Sequence, residues 1–397
     1  MVRTKKIGMA AANGLWQVFP TISLLLMSFV VVRLFSLAVW GELVYIIIAS
    51  QFINTLINWG NKDFLLRSFA ERPSHFYEAF STFFAERSVV AVIALVAIFG
   101  LPFFWFSLPF TITLALVVLG RFLQQSMDVL VVIHRRFSFA LKLEFILIGV
   151  QISALIFGRY IADIVHPMHL VYTVFAAGLL IKGVIYLLLF RSSFVYPSWT
   201  FHYLEKSFAF ALQTWTGLLA SRMDMVVAAL VMSEATLGVY QIIMSFLWNI
   251  QAGANHFSGP FIHQFFRLSE SVKRSSEQLL WKIGIAISAF GVLAMFVALT
   301  WLFQIQLSYE LMIPCFIIAI QAYIYLPWLF RMMQKDDQRF IVYWNVVSVL
   351  LLSIILISAF YMLELNIGYI LWLVAVHQSL ATIMIFGIYR QRSSKWA

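Results

Sequence analysis

Apolar residues fill the chain in long runs that short polar stretches separate. Twelve of these runs have about 20 residues, the length that a helix needs to cross a hydrocarbon core about 30 Å thick. The pattern therefore predicts twelve transmembrane helices. They cover residues 13–35, 39–61, 86–107, 109–133, 140–162, 168–190, 207–231, 235–262, 280–304, 308–332, 339–362 and 367–389.

The composition supports this pattern. Hydrophobic residues make up 62% of the 397 residues and charged residues only 11%. A soluble domain has about 25% charged residues, so this chain cannot cover itself with a polar surface. The single cysteine, Cys315, lies in an apolar run, so no disulfide framework or thiolate metal cluster is expected. We predict an all-α polytopic membrane protein without metal or cofactor.

Lysines and arginines fall mainly on one side of the predicted helices. Of the 27 basic residues, Arg33 and Arg159 lie near the outer face, and Arg121, Lys182 and Arg222 lie within helices. The other 22 are assigned to the cytoplasmic side, among them Arg87 at the edge of the third segment. This positive-inside distribution predicts that both termini are cytoplasmic. It also accounts for the net charge of +10, so no nucleic-acid partner is expected.

Two stretches on either side of the midpoint resemble each other, residues 40–67 and 237–267. The shared positions are Gly41 and Gly238, Asn54 and Asn58 with Asn249 and Asn255, Gly60 and Gly259, and Arg67 and Arg267. Six helices precede a linker near 192–206 and six follow it, so the two halves have the same orientation in the membrane. We predict a parallel repeat of two six-helix lobes, residues 1–195 and 196–397, with a site at the interface between lobes.

The fourth predicted helix carries a polar stripe. Arg121, Gln125 and Asp128 stand at positions i, i+4 and i+7, which share one face of a helix. An arginine at membrane depth favours an aqueous cavity over packing. The alternative is a buried hydrogen-bonded network that ties helices together.

The seventh predicted helix carries Arg222 and Asp224. They are two residues apart, about 200° around the helix, so they are not expected to face the same partner directly. Asp224 is the preferred candidate for ion coupling, with Asp128 as the second, because a carboxylate away from water can bind H⁺ or Na⁺. The alternative for Asp224 is a structural ion pair with a basic residue of another helix.

The remaining inner cations favour an anionic ligand, since guanidinium groups suit phosphates. Lys182 could instead extend its ammonium group to the membrane surface. We predict a cationic substrate site formed by Arg33, Arg121, Gln125, Lys182, Arg222, Asn249 and Asn255.

Motifs of enzymes are missing from the sequence. It has no G-x-x-x-x-G-K-[ST] loop, no H-E-x-x-H and no G-x-S-x-G. The longest loop, residues 62–85, is too short for a separate domain, and an interfacial helix or a solvated connector is expected there. An enzyme is therefore not expected.

Three stretches resemble one family. "SRMDMVVAALVMSEATLGVYQIIMSFL" is similar to the seventh and eighth helices of Wzx-like polysaccharide (O-antigen) flippases of the multidrug/oligosaccharidyl-lipid/polysaccharide exporter (MOP) superfamily. The shared positions there are Asp224, Gly238 and Tyr240. "WGELVYIIIASQFINTLINWGNKDFLLRSFA" resembles the second helix, and "RFLQQSMDVLVVIHRRFSFALKLEF" resembles the fourth and fifth, with a basic pair between them.

The resemblance implies a V-shaped, alternating-access transporter in the bacterial inner membrane. Its substrate would be undecaprenyl-pyrophosphate-linked oligosaccharide for surface polysaccharide such as lipopolysaccharide, and transport would be coupled to an ion gradient. The polymerase and glycosyltransferases of the same pathway would be partners.

Two other functions stay open. An H⁺- or Na⁺-coupled drug or metabolite exporter of the same superfamily would line its cavity with carboxylates, whereas the inner cations here at least match the acids. A membrane scaffold without transport would leave the mid-membrane charges unexplained.

Overall fold

A computed structural model describes residues 2–100, 107–161, 166–197, 201–258, 270–333, 338–362 and 366–396. These residues are almost entirely helical and contain no strand. The helices are α1 Val2–Leu34, α2 Leu37–Asn58, α3 Asn61–Glu71, α4 Phe76–Gly100, α5 Leu108–Ile133, α6 Phe137–Ile161, α7 Pro167–Leu189, α8 His202–Val231, α9 Glu234–Ser258, α10 Glu270–Trp301, α11 Met312–Met333, α12 Gln338–Met362 and α13 Ile367–Trp396. Short 3₁₀ turns cover Pro73–His75, Arg191–Ser193 and Tyr309–Leu311.

The prediction of an all-α polytopic membrane fold is confirmed. Within the described residues, every helix except α3 corresponds to one of the twelve predicted segments. Among the residues that the structure describes, ten helical stretches are long and apolar enough to cross a membrane, and the described parts of α9 and α12 lie outside that group. The chain is thus a multi-pass membrane protein.

The third predicted segment, residues 86–107, was placed too late. The helix that corresponds to it, α4, begins at Phe76. Phe76, Phe80 and Phe83 are fully buried, so the first turns of α4 belong to the packed core rather than to a loop. Glu86 and Arg87 lie at the start of the predicted segment, and both side chains are fully buried. Arg87 thus lies inside the helix bundle rather than at a solvated helix end, and its assignment to the cytoplasmic side stays a prediction.

The region predicted as the longest loop also contains α3. Leu65 is fully buried, and Phe64, Leu66 and Phe69 pack against the same aromatic core as Phe76. The apolar side of α3 therefore lies on the helix bundle.

The chain forms two compact units, Met1–Leu218 and Leu219–Ala397. The first half of α8 belongs to unit 1. It forms hydrogen bonds with α2 and with Trp59, the residue that follows α2. The indole N–H of Trp215 donates to the carbonyl of Thr55 (3.0 Å), and that of Trp59 donates to the carbonyl of Leu204 (2.9 Å). The predicted lobe boundary at 195/196 stays a prediction.

The two units repeat one pattern of helix packing. In unit 1, α5 packs most extensively on α7 and also contacts α2 and α4. In unit 2, α11 packs most extensively on α13 and also contacts α9 and α10. Helices α5 and α11 are the fourth membrane helices of their predicted lobes. Each unit is therefore organised around its fourth helix, as expected of a parallel repeat.

Small residues allow α5 and α7 to approach closely. A Cβ atom added at Gly120 would lie 2.7 Å from the backbone of Leu179, and one at Gly183 would lie 2.7 Å from the carbonyl oxygen of Gly120. Backbone atoms cannot yield as flexible side-chain ends do. Membrane helices commonly use small residues at such crossings.

We expect Gly120→Ala to destabilise the purified protein by about 1–3 kcal/mol, the usual cost of overpacking. Gly149→Ala is the matched control, because a Cβ at Gly149 would meet no atom within 4 Å. Thermal unfolding in detergent measures both variants. Equal melting temperatures for the two variants would contradict this account of the crossing.

Candidate substrate and ion sites

The polar stripe of the fourth predicted segment lies on α5. Arg121, Gln125 and Asp128 are all partly buried, and their spacing places them on one face of this helix. No hydrogen bond or ion pair joins the Arg121 side chain to another described residue. The backbone carbonyl of Gln125 accepts a hydrogen bond from the Asn61 side chain (3.2 Å).

Lys182 forms a buried ion pair with Glu144. The Lys182 ammonium group on α7 donates to the Glu144 carboxylate on α6, and the two residues are 4% and 8% exposed. The alternative in which Lys182 extends to the membrane surface is wrong. Its role as a substrate ligand stays a prediction, and in this conformation its charge is neutralised by Glu144.

Asp128 lies beside this pair. Its Oδ1 atom is buried without a hydrogen-bond partner among the described residues. Lys182, Lys62 and Glu144 all interact with its charge. Lys62 also lies over Trp16, with its ammonium nitrogen 5.7 Å from the ring centroid. Asp128, Glu144, Lys182 and Lys62 thus form a cluster of two acids and two bases within unit 1, which we call the charged cluster.

Arg87 is a second inner cation of unit 1. One guanidinium nitrogen donates to the Ser126 hydroxyl (3.1 Å) and another contacts the Asn58 amide oxygen (3.5 Å). The guanidinium carbon lies 5.0 and 5.6 Å from the ring centroids of Phe83 and Phe122. No described carboxylate lies within 4.0 Å of Arg87. Arg87 therefore has neutral partners within the described structure.

Glu86, the neighbour of Arg87, has a structural partner. Its carboxylate accepts hydrogen bonds from the backbone N–H groups of Leu204 (2.9 Å) and Tyr203 (3.4 Å) at the start of α8. A carboxylate is stabilised there because the first N–H groups of a helix lack partners and carry partial positive charge.

Arg33 is not part of the charged cluster. It is exposed and lies 17 residues along α1 from Trp16, a rise of about 25 Å. Its guanidinium group lies 6.0 Å from the ring centroid of Phe29.

Arg222 and Asp224 both contact α9, so the expectation of different partners was wrong. The Tyr240 hydroxyl donates to Asp224 Oδ2 at 2.6 Å, and Asp224 is 3% exposed. The guanidinium carbon of Arg222 lies 3.2 Å from the ring centroid of Trp248. The long arginine side chain brings its guanidinium group to α9, although the Cα positions of Arg222 and Asp224 are about 200° apart around α8. The charges of Arg222 and Asp224 also interact with each other.

Asparagine side chains make the same local contact in the two units. The amide N–H of Asn54 donates to the carbonyl of Ser50, and that of Asn249 donates to the carbonyl of Ser245, both at 2.8 Å. Both amide oxygens are buried without a hydrogen-bond partner among the described residues. The side chain of Asn255 lies outside the described part of the structure.

Amide and hydroxyl side chains also link helices within unit 2. The Gln251 amide donates to the backbone carbonyl of Ile318 (2.6 Å) and to the side-chain oxygen of Gln378 (3.3 Å). The Gln321 amide donates to the Ser379 hydroxyl (3.0 Å). Polar bonds of this kind tie membrane helices together.

Glu86, Arg87 and Glu144 are inner charges that were not among the predicted site residues. Glu144 could have been found, because it lies inside the predicted segment 140–162 and few acids occur there. With these residues included, the inner cations no longer outnumber the inner acids. The difference between the two groups is that Arg121 and Arg87 have no carboxylate partner among the described residues.

Solved structures with the same fold are transporters rather than enzymes. An outward-facing multidrug resistance MATE family transporter of the MOP superfamily is 12% identical, with a TM-score of 0.65 over 98% of this chain and 96% of that one. A MOP superfamily transporter from Pyrococcus furiosus, described by the reverse polarity of its binding pocket, is 13% identical, with a TM-score of 0.61 over 98% and 95%. The eukaryotic MATE transporter AtDTX14 is 10% identical, with a TM-score of 0.59 over 99% and 97%.

The chain therefore has the fold of multi-pass transporters of the MOP superfamily. The sequence matches no protein-family model and no curated protein.

Proposed function

We propose that this protein moves polyprenyl-pyrophosphate-linked oligosaccharide across the bacterial cytoplasmic membrane for surface polysaccharide synthesis. The observation that carries the proposal is Arg121. It lies in a membrane-spanning helix, is partly buried, and has no carboxylate partner among the described residues. An unneutralised guanidinium group at membrane depth is costly, and a phosphate group is its natural partner.

Three of the described inner acids, Glu144, Glu86 and Asp224, support the same sign of ligand because each already has a partner, whereas Asp128 lies near the bases Lys182 and Lys62. Glu144 pairs with Lys182, Glu86 accepts two backbone hydrogen bonds, and Asp224 accepts one from Tyr240. Neither Arg87 nor Arg121 has a carboxylate partner within the described residues. A cationic drug would meet carboxylates that mostly have partners already, whereas an anionic headgroup would meet arginines whose charge no described carboxylate neutralises.

The sugars require a different chemistry from the pyrophosphate. Hydroxyl groups bind well to amide side chains, and the buried oxygen of Asn249 lacks a donor. The lipid tail would stay in the bilayer while the pyrophosphate and sugars follow the polar residues. Gln125, Lys182, Arg222, Arg33 and Asn255 remain predicted contributors. In the proposal both termini are cytoplasmic, and the polymerase and glycosyltransferases of the pathway are functional partners.

Deletion of the gene tests the proposal. We expect lipid-linked oligosaccharide to accumulate in the cytoplasmic leaflet and surface polysaccharide to be lost, with both effects reversed by the wild-type gene. Unchanged glycan together with increased sensitivity to toxic cations would contradict the proposal. That result would favour the second candidate, an H⁺- or Na⁺-coupled drug or metabolite exporter.

The second candidate is kept because the neighbouring structures include a multidrug resistance transporter. The Pyrococcus furiosus protein, for which the reverse polarity of the pocket suggests a different function, supports charge as the criterion for choosing between the two.

Ion coupling gives a separate prediction. Asp224→Asn keeps the shape of the side chain and a hydrogen-bond partner for Tyr240, but removes the carboxylate that could bind H⁺ or Na⁺. We expect normal abundance and loss of the gradient-dependent part of transport, measured with and without an ionophore. Asp128→Asn is the matched comparison for the other candidate acid. Full gradient dependence in both variants would exclude these two carboxylates as coupling residues.

A further inference from the structure

Four helix ends of unit 1 meet around one basic turn. Helix α4 begins at Phe76, α5 ends at Ile133, α6 begins at Phe137 and α7 ends at Leu189. The turn between α5 and α6 consists of His134, Arg135 and Arg136, and all three residues are exposed. We call these three residues the basic turn.

The backbone of the basic turn is in a conformation that usually requires glycine. Arg135 has a φ of 54°, in the left-handed region. The N–H groups of Arg135 and Arg136 donate to the carbonyls of Val132 (3.2 Å) and Val131 (3.0 Å), which closes the end of α5. Glycine is favoured at this position of a helix end. A charged side chain thus occupies a position where glycine would be less strained.

Aromatic rings hold the side chains of the basic turn in place. The His134 ring stacks with Phe190 and with Tyr77, with centroids 5.7 and 6.3 Å away and interplanar angles of 20° and 25°. The Arg136 guanidinium carbon lies 5.8 Å from the centroid of Phe190. Side chains that are already ordered lose less entropy when a ligand binds.

The positive charge of the basic turn is not neutralised within the described structure. No described carboxylate lies within 4.0 Å of Arg135 or Arg136, whereas Arg67 of α3 pairs with Glu71 at 2.8 Å. Burial and the charge of Arg136 lower the pKa of His134, so its ring is neutral at neutral pH. The arginines therefore carry the charge.

Exposed apolar side chains lie at two of the helix ends that meet at the basic turn. Phe139 is 39% exposed and Leu188 is 60% exposed, each within one helical turn of the neighbouring helix end. A site for a soluble anion needs no apolar border. A site at the membrane surface does, because acyl chains lie directly below the headgroups.

We propose that the basic turn binds the phosphate headgroup of an anionic membrane lipid. Arg135 and Arg136 would donate to the phosphate oxygens, with Phe190 supporting the Arg136 guanidinium group and Tyr77 and Phe190 supporting the His134 ring. Guanidinium groups present several N–H donors in a fixed plane that matches a phosphate. This surface is separate from the transport residues, so it does not depend on the proposed function.

Native mass spectrometry of the purified full-length protein tests the proposal. Phosphatidylglycerol and phosphatidylcholine would be titrated against the wild type and Arg135→Gln/Arg136→Gln. We expect the wild type to prefer phosphatidylglycerol and the double variant to lose about 30-fold in its affinity. This factor corresponds to about 1 kcal/mol for each arginine at an anionic surface.

Two further variants keep the test decisive. Arg67→Gln is the matched control and should change the affinity by less than about twofold, because its charge is already paired with Glu71. Arg135→Gly removes one charge from a position that glycine suits, so its reduced binding cannot be attributed to misfolding.

Three results would overturn the proposal. One is a wild type without preference for phosphatidylglycerol, and another is an equal loss in Arg67→Gln and the double variant. The third is displacement of the lipid by millimolar inorganic phosphate, which would identify a soluble anion as the ligand.

Discussion

Replacement of Arg121 by glutamine is expected to lower surface polysaccharide about 10- to 100-fold while the protein remains at normal abundance. The guanidinium group has no carboxylate partner among the described residues, so its removal leaves no buried acid unpaired. The loss of charged hydrogen bonds to a pyrophosphate, each contributing about 1.5–3 kcal/mol, sets the magnitude. Quantitative immunoblotting and polysaccharide gels measure abundance and product in the same cells.

Arg159→Gln is the matched control, because Arg159 is an exposed arginine in the last turn of α6. Arg121→Lys should retain an intermediate activity, since a lysine keeps the charge but not the planar set of donors. Normal polysaccharide in Arg121→Gln would show that this arginine does not contact the substrate. A parallel fall in abundance would assign it a structural role instead.

Replacement of Lys182 by methionine is expected to destabilise unit 1 by about 3–5 kcal/mol, the typical result of breaking one half of a buried ion pair. Glu144 would then keep a buried negative charge beside Asp128, with Lys62 as the remaining base of the charged cluster. The amount of the variant protein in the membrane should fall strongly. The variant protein that remains should have a lower melting temperature than the wild type. Fluorescence-detected size-exclusion chromatography after heating measures both effects.

The double variant Lys182→Met/Glu144→Gln removes both charges together. We expect it to recover most of the stability, because neutral side chains of similar volume do not require charge compensation. If the double variant is as unstable as the single variant, packing rather than the ion pair explains the loss. A stable Lys182→Met would contradict the pairing itself.

The helices could be predicted from the sequence because membrane spans depend on length and hydropathy, which are local properties. The start of the third segment was predicted wrongly because the first turns of α4 contain charged residues, among them Glu78, Glu86 and Arg87. Such residues normally mark the end of a span. In this protein Glu86 and Arg87 are buried by long-range contacts, to the start of α8 and to Ser126 of α5.

The candidate site was predicted only in part for the same physical reason. Spacing on one helix placed Arg121, Gln125 and Asp128 on a common face, which needs no knowledge of other helices. The partner of Lys182 lies 38 residues away on α6, and no periodicity connects the two. Arg222 contacts Trp248 because the arginine side chain is long. The angle between Cα positions around a helix does not include the length of a side chain.

Transport of lipid-linked oligosaccharide by the purified protein in proteoliposomes is the most direct test of the central claim. A lectin or glycosidase added outside would report glycan that reaches the outer leaflet. We expect protein-dependent exposure of the glycan that Arg121→Gln abolishes and Arg159→Gln retains. Glycan that stays in its original leaflet, while the same vesicles accumulate a cationic dye, would contradict the account and identify a drug exporter.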